Sequence, residues 1–261
     1  MNLRVILTAG FNRARHVVAL AEMLSRSGAS ICGVIVVSPF TTRRIREAVD
    51  RRGKLYLLGA ARHLLNLDAK DRHSDPLDLY LSKHDVRYRS LRHWCARYGA
   101  PALSVNSLNS NVAINFLTST KPDGVIYGGG GILKREFIAS VDGRVLNAHS
   151  GRLPDIRGMN ACEWSLLLDV PLAVTIHFID TGIDTGHVVE TIPLQIESGD
   201  DIARLRSKCT VIGVEGLIRN VEAIANGMRS VPGSSDSCTR QCFTLAPALK
   251  ELAEQKLSAS Q

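Results

Sequence analysis

Residues Leu3 to Val37 constrain the fold more tightly than any other stretch of the chain. Leu3-Arg-Val-Ile-Leu-Thr-Ala is a short apolar run, Arg13 to Ser27 carries Val17, Leu20, Ala21 and Leu24 at helical spacing up to Gly28, and Ile31-Cys-Gly-Val-Ile-Val-Val is a second apolar run. Apolar runs of this length belong to strands buried on both faces. A strand, one helix and a strand in so few residues join most simply as parallel neighbours. The same rhythm returns later: Trp94 to Gly99 reads as the end of a helix, Pro101 to Val105 as a strand, Asn109 to Ser119 as a helix, Lys121-Pro-Asp as a turn and Gly124 to Tyr127 as a strand. The expected class is α/β, a Rossmann-like, mostly parallel sheet with helices on both faces. The turn Thr8-Ala-Gly-Phe-Asn has one glycine where a dinucleotide fingerprint needs three, so neither a nicotinamide cofactor nor a phosphate cradle is expected there.

With 261 residues, 45% of them hydrophobic and 22% charged, the chain can bury a sizeable core. The expected organisation is one main domain over 1–230, interrupted by a basic helical insertion over about 40–93, and an extension over 231–261. Ser230-Val-Pro-Gly-Ser-Ser-Asp-Ser is linker-like, and Ala246 to Ser260 either forms a terminal helix or stays loose. No stretch approaches the roughly 18 apolar residues that span a bilayer, and the N-terminus turns polar by Thr8, so a soluble, cytoplasmic protein is expected. Cys32, Cys95, Cys162, Cys209, Cys238 and Cys242 are scattered without a CxxC pair, which predicts reduced thiols and no metal site.

The net charge of +7 is concentrated. Arg43, Arg44, Arg46, Arg51, Arg52 and Lys54 crowd one segment, and Arg62, Lys70, Arg72, Arg87, Arg89, Arg92 and Arg97 continue it. A solvated basic face accounts for this; contact with an anionic surface, whether phosphorylated substrate, lipid headgroup or RNA, is the sharper alternative. The apolar island at Leu55 to Leu65 inside it reads as an amphipathic helix packed on the domain, or one lying on a membrane surface or partner.

The chemistry lies between Tyr127 and Gly186. Gly128-Gly-Gly-Gly-Ile-Leu ends a strand in glycines, whose bare backbone can lie against a flat ligand, although a flexible loop reads the same way. In Val145-Leu-Asn-Ala-His, Asn147 and His149 are two apart, so an extended backbone places both on one face. An amide that donates to a developing oxyanion beside an imidazole that handles a proton suits acyl transfer. Ala173-Val-Thr-Ile-His-Phe-Ile-Asp-Thr-Gly-Ile-Asp-Thr-Gly is a strand running into a tight acidic loop. There Asp184 and Asp180 compete as the carboxylate aimed at His149, Asp180 reading more simply as a loop cap, and His177 reads as structural rather than a substrate contact.

Together, Asn-x-His, Leu-Pro-x-x-Arg-Gly at Leu153 to Gly158 and the loop Val174 to Gly186 resemble the formyltransferase family that includes glycinamide ribonucleotide, methionyl-tRNA and nucleotide-sugar formyltransferases. The likeness is good over Pro122 to Asn226 and looser over the first half. It implies the formyltransferase fold, 10-formyltetrahydrofolate as donor, and Asn147, His149 and Asp184 as the catalytic set. It also implies that the pterin rests on the backbone of Gly130, Gly131, Ile132 and Leu133 and on the loop bearing Asp180 and Gly182.

The chain departs from the family at His149-Ser-Gly-Arg, where many members read His-Pro-Ser or His-Ala-Ser. Arg157-Gly158 is similar to the tRNA and sugar branches. The roughly thirty residues after Val231 are too few for the barrel that the tRNA enzymes add, and the purine-pathway phosphate loop is missing at Thr8 to Asn12. The expected acceptor is therefore a small-molecule amine, first a nucleotide-linked amino sugar, touched by Arg157, Asn160, Glu163 and Trp164. Hydrolysis of the donor, formylation of a secondary-metabolite amine, and a non-catalytic folate-fold binding protein are the alternatives. Nucleic acid is not expected as partner, and a homodimer is left open.

Overall fold

The computed structural model describes residues 3–38, 75–230 and 241–261. Most of the expected basic insertion, including Arg43 to Lys54, Arg62, Lys70, Arg72 and the apolar island, lies outside the described residues, as does Cys238. In chain order the elements are β1 (Arg4–Ala9), α1 (Arg15–Arg26), β2 (Ser30–Val37), α2 (Pro76–Lys83), α3 (Leu91–Tyr98), β3 (Ala102–Val105), α4 (Asn111–Thr120), β4 (Gly124–Gly128) and α5 (Arg135–Ala139). There follow β5 (Val145–His149), β6 (Arg157–Gly158), α6 (Ala161–Leu167), β7 (Ala173–Phe178), β8 (Val188–Pro193), α7 (Ile202–Arg219), α8 (Glu222–Ala225), β9 (Gln241–Cys242) and α9 (Pro247–Ala259).

Seven strands form one sheet in the order β3-β2-β1-β4-β5-β7-β8. The pairs from β3 across to β5 are parallel; β5 with β7 and β7 with β8 are antiparallel. Successive residues feed opposite cores: Val5, Leu7 and Ala9 of β1 pack with α1 and α7, whereas Ile6 packs with α4 and α5. The Rossmann-like expectation therefore holds, and the chain turns back at β1, sending β2 and β3 to one side and β4 and β5 to the other. That reversal leaves a crevice at the carboxyl ends of the strands, where open α/β sheets bind ligands.

Local chemistry sets the helix ends. Ser90 and Ser110 accept from the N–H of His93 and Ala113 as N-caps, Asp201 accepts from Arg204, and Gly99 closes α3 with positive φ. The longest helix, α7, carries little apolar periodicity because glycines stand where it meets the sheet. A Cβ on Gly216 would lie 2.7 Å from Ile176 Cδ1, and one on Gly213 3.0 Å from Ala148 Cβ. The bare backbone permits that approach. Within the expected helical insertion, Pro76 to Lys83 is helical and residues 84–90 are not. Ala246 to Ser260 resolves into a helix, α9, which packs on α6 through Ala253 and Leu257.

Candidate active site

β5 ends at the carboxyl edge of the sheet with Asn147 and His149 on one face, as a period of two requires. Opposite them in the antiparallel ladder, β7 places His177 across from Asn147 and Thr175 across from His149. His177 is buried at 1% exposure. Its Nδ1 lies 3.1 Å from the Phe178 carbonyl, which can only accept, so Nδ1 carries the proton and Nε2 is bare. The Asn147 amide then donates to that Nε2 at 3.0 Å. One N–H of Asn147 is thereby engaged and the other is left for the cavity. Burial pushes the His177 pKa down to about 4, overcoming the opposing effect of nearby Asp184, so the ring stays neutral.

Beyond His149 the chain folds back. The Thr175 hydroxyl donates to the Gly151 carbonyl at 2.7 Å and accepts from the Leu153 N–H at 3.1 Å, returning the Ile156 carbonyl to His149. His149 Nε2 donates to that carbonyl at 2.8 Å, so its Nδ1 turns to Asp184 Oδ2, 3.4 Å away. Where the chain departs from His-Pro-Ser, a Cβ on Gly151 would fall 2.7 Å from His149 Nε2.

The structure separates the two aspartates. Asp180 Oδ1 accepts from the Gly182 N–H at 3.0 Å and the Thr185 hydroxyl at 2.6 Å, which makes it a loop cap. Asp184 faces His149, holds a positive φ of 52°, and accepts from the Gly158 N–H at 2.8 Å. Gly186 closes the loop against β7, where a Cβ would come within 1.8 Å of the Phe178 carbonyl.

These residues floor a cavity of about 360 Å³. Of the residues expected to hold the pterin, Gly131, Ile132, Leu133, Asp180 and Gly182 line it. Gly130 instead turns toward Leu108, with a positive φ of 133°. The glycine turn is pinned: the Tyr127 hydroxyl donates to the Gly131 carbonyl and accepts from its N–H, and the Asn109 side chain bonds the Ile132 carbonyl and the Lys134 N–H. A second cavity of about 250 Å³ opens on the α1 and α7 side of the sheet and shares Tyr127 and Asn147 with the first.

The expected acceptor contacts are placed differently. Arg157 is half-buried on β6. The Asn160 amide donates to Glu163 and its carbonyl accepts from the Leu245 N–H, Glu163 is buried against Arg206, and Trp164 Nε1 donates to the Phe243 carbonyl at 2.8 Å. These four residues line neither cavity. The side-chain bonds of Asn160, Glu163 and Trp164 tie α6 to α7 and to the C-terminal segment. Met159 and Phe243, which the sequence reading missed, do line the first cavity. Phe243 follows a linker-like stretch, and the pairing of β9 with β6 just before it brings it here.

Among the described residues no cluster of three or more His, Cys, Asp or Glu could hold a metal, and no helix is long and apolar enough to cross a membrane. Cys162 and Cys209 are buried with their sulfurs 3.6 Å apart.

Residues 69–221 match a family model described as Formyl transferase. A methionyl-tRNA formyltransferase of Bacillus subtilis (strain 168) is 27% identical over 179 residues, 68% of this chain and 53% of that one. The chain spans about half the length of the curated relatives it matches. A glycinamide ribonucleotide transformylase 1 from Symbiobacterium toebii superposes with a TM-score of 0.59 at 16% identity, covering 89% of this chain and 92% of that one. A sugar N-formyltransferase from Shewanella sp FDAARGOS_354 gives 0.57 at 11% identity, covering 98% and 87%.

Proposed function

Since the chain belongs to the formyl transferase family, we propose that it moves the formyl group of 10-formyltetrahydrofolate to an amine carried on a sugar ring. The observation that carries this reading is the juxtaposition at Asn147, where a cavity lined by His149 and Asp184 and a second one on the α1 and α7 side share Tyr127 and Asn147 as walls. The donor occupies the cavity walled by the glycine turn and the aspartate loop. The amine enters from the α1 and α7 side.

In this mechanism the free N–H of Asn147 donates to the formyl oxygen as it gains negative charge. His149 stands beside the same carbon, with Nε2 fixed on the Ile156 carbonyl and Nδ1 free to exchange a proton with Asp184. Asp184 takes up the proton that the amine loses as its nitrogen bonds the formyl carbon, and that proton passes to N10 of the carrier as the bond between N10 and the formyl carbon breaks, releasing tetrahydrofolate. Because the Gly158 N–H holds one of its oxygens, the carboxylate keeps its aim while it does so.

The acceptor side supports a ring bearing hydroxyls. Among the described residues no Lys, Arg, Asp or Glu lines that cavity; His16, Tyr127, Asn147, Ser150 and Thr210 supply polar groups. His16 Nε2 donates to the Gly128 carbonyl at 3.2 Å, and burial lowers its pKa, so it stays neutral. Among the described residues a phosphate meets no charged side chain there, which favours leaving any nucleotide attached to the sugar outside the cavity.

Incubation with 10-formyltetrahydrofolate and a panel of amino-sugar nucleotides, amino acids and hydroxylamines should give one product heavier by a formyl group. Loss of a single oxyanion donor costs about 10²- to 10³-fold, so Asn147→Ala is impaired, and His149→Ala and Asp184→Asn are nearly inactive. Wild-type transfer by folded His149→Ala overturns the mechanism. Steady formate release without any amine replaces transfer with hydrolysis.

A further inference from the structure

The three most exposed large apolar side chains among the described residues are Ile132, Phe243 and Met159, at 73%, 66% and 61% exposure, and all three rim the cavity above His149 and Asp184. They come from the glycine turn, the residue after β6 and the residue after β9. Single exposed apolar residues are ordinary on a protein surface; three converging on one opening are what the apolar part of a ligand covers.

The backbone beneath them is fixed, so the rim is preformed. β6 and β9 pair in parallel, the Met159 N–H donates to the Cys242 carbonyl at 3.0 Å, and the Phe243 carbonyl accepts from Trp164 Nε1 at 2.8 Å. Gly158 could not carry a side chain here, since a Cβ would lie 2.1 Å from the Cys242 carbonyl. The same glycine holds Asp184. One strand pair thus positions the carboxylate and presents the Phe243 ring, although Phe243 lies beyond the residues matched by the family model.

We propose that Phe243, with Met159 and Ile132, clamps the benzoyl ring that joins the pterin of the donor to its glutamate, making β9 a donor-specificity element. The inference rests on the folate-donor reading above. An aromatic ring gains from a second ring and from a thioether as neighbours, and both stand at the mouth in Phe243 and Met159.

The test compares equilibrium binding of tetrahydrofolate with that of a reduced pterin lacking the benzoylglutamate. Phe243→Ala should weaken tetrahydrofolate about tenfold and leave the pterin unchanged, as removal of one ring from a ligand contact implies. Met159→Ala should shift affinity in the same direction, Phe243→Leu should recover part of it, and Val112→Ala, exposed but lining neither cavity, should change neither probe. Equal loss for both probes, or no loss for tetrahydrofolate with the thermal midpoint intact, overturns the clamp. If the wild-type protein binds neither probe, the donor reading fails and the clamp with it; binding of both probes with no response at Phe243 sinks the clamp alone.

Discussion

Asn147 can serve a reacting carbonyl only if its amide keeps one orientation, and His177 decides which. The Phe178 carbonyl fixes the imidazole tautomer, and the bare Nε2 then fixes the amide. His177→Ala should lower kcat by about 10- to 100-fold with little change in KM, because a misaimed donor mainly weakens the transition state. His177→Gln, whose carbonyl can accept from Asn147, should recover part of the rate; equal kcat for both variants and wild type argues against this positioning role. The same burial has a pH signature. With a folded pKa of about 4 against 6.5 for the free side chain, His177 binds a proton in the unfolded chain before the folded one. Its contribution is complete above pH 6.5 and is lost as pH falls toward 4, about 3 kcal/mol by the end. Burial lowers the His16 pKa as well and adds to the loss below 6.5. Urea midpoints measured across that range should fall with pH, and less steeply in His177→Gln.

At the scale of elements, polar side chains do what the apolar pattern leaves undone. Glu22 on α1 is buried at 4% exposure and accepts from Trp94 Nε1 at 3.0 Å, from the Tyr98 hydroxyl and from Arg26, joining α1 to α3. Removing it strands an indole N–H and leaves a cavity, so Glu22→Ala should cost about 3 kcal/mol in chemical denaturation while the cavity at His149 stays intact. A loss below about 0.5 kcal/mol, the range of ordinary surface changes, contradicts that assignment. The pinned glycine turn is a similar case. Four consecutive glycines read as a flexible loop, yet the Tyr127 hydroxyl and the Asn109 amide hold the turn in one shape.

For the whole molecule, the cavity proposed for the donor draws on β5, the loop after β7, β6 and the C-terminal segment, so a ligand bound there links parts of the chain from Tyr127 to Phe243. Tetrahydrofolate at a hundred times its Kd should stabilise the fold by about 2.7 kcal/mol, read as a raised thermal midpoint that His149→Ala retains. No shift at that concentration removes the donor from this cavity. The amino-acid sequence by itself determined the buried parallel strands, because apolar runs and helical spacing are local properties. It also determined that Asn147 and His149 share a face, because the period of a strand is two. Tertiary structure decided between Asp180 and Asp184, since both sit in the same loop and only the fold-back of Ile156 shows which one the imidazole meets. It decided the partners of Asn160, Glu163 and Trp164, set His177 opposite Asn147, packed α7 through its glycines, and carried Phe243 to the mouth of the cavity. Each of these depends on strand register or on contacts between residues far apart in the chain, and neither is encoded in a local pattern.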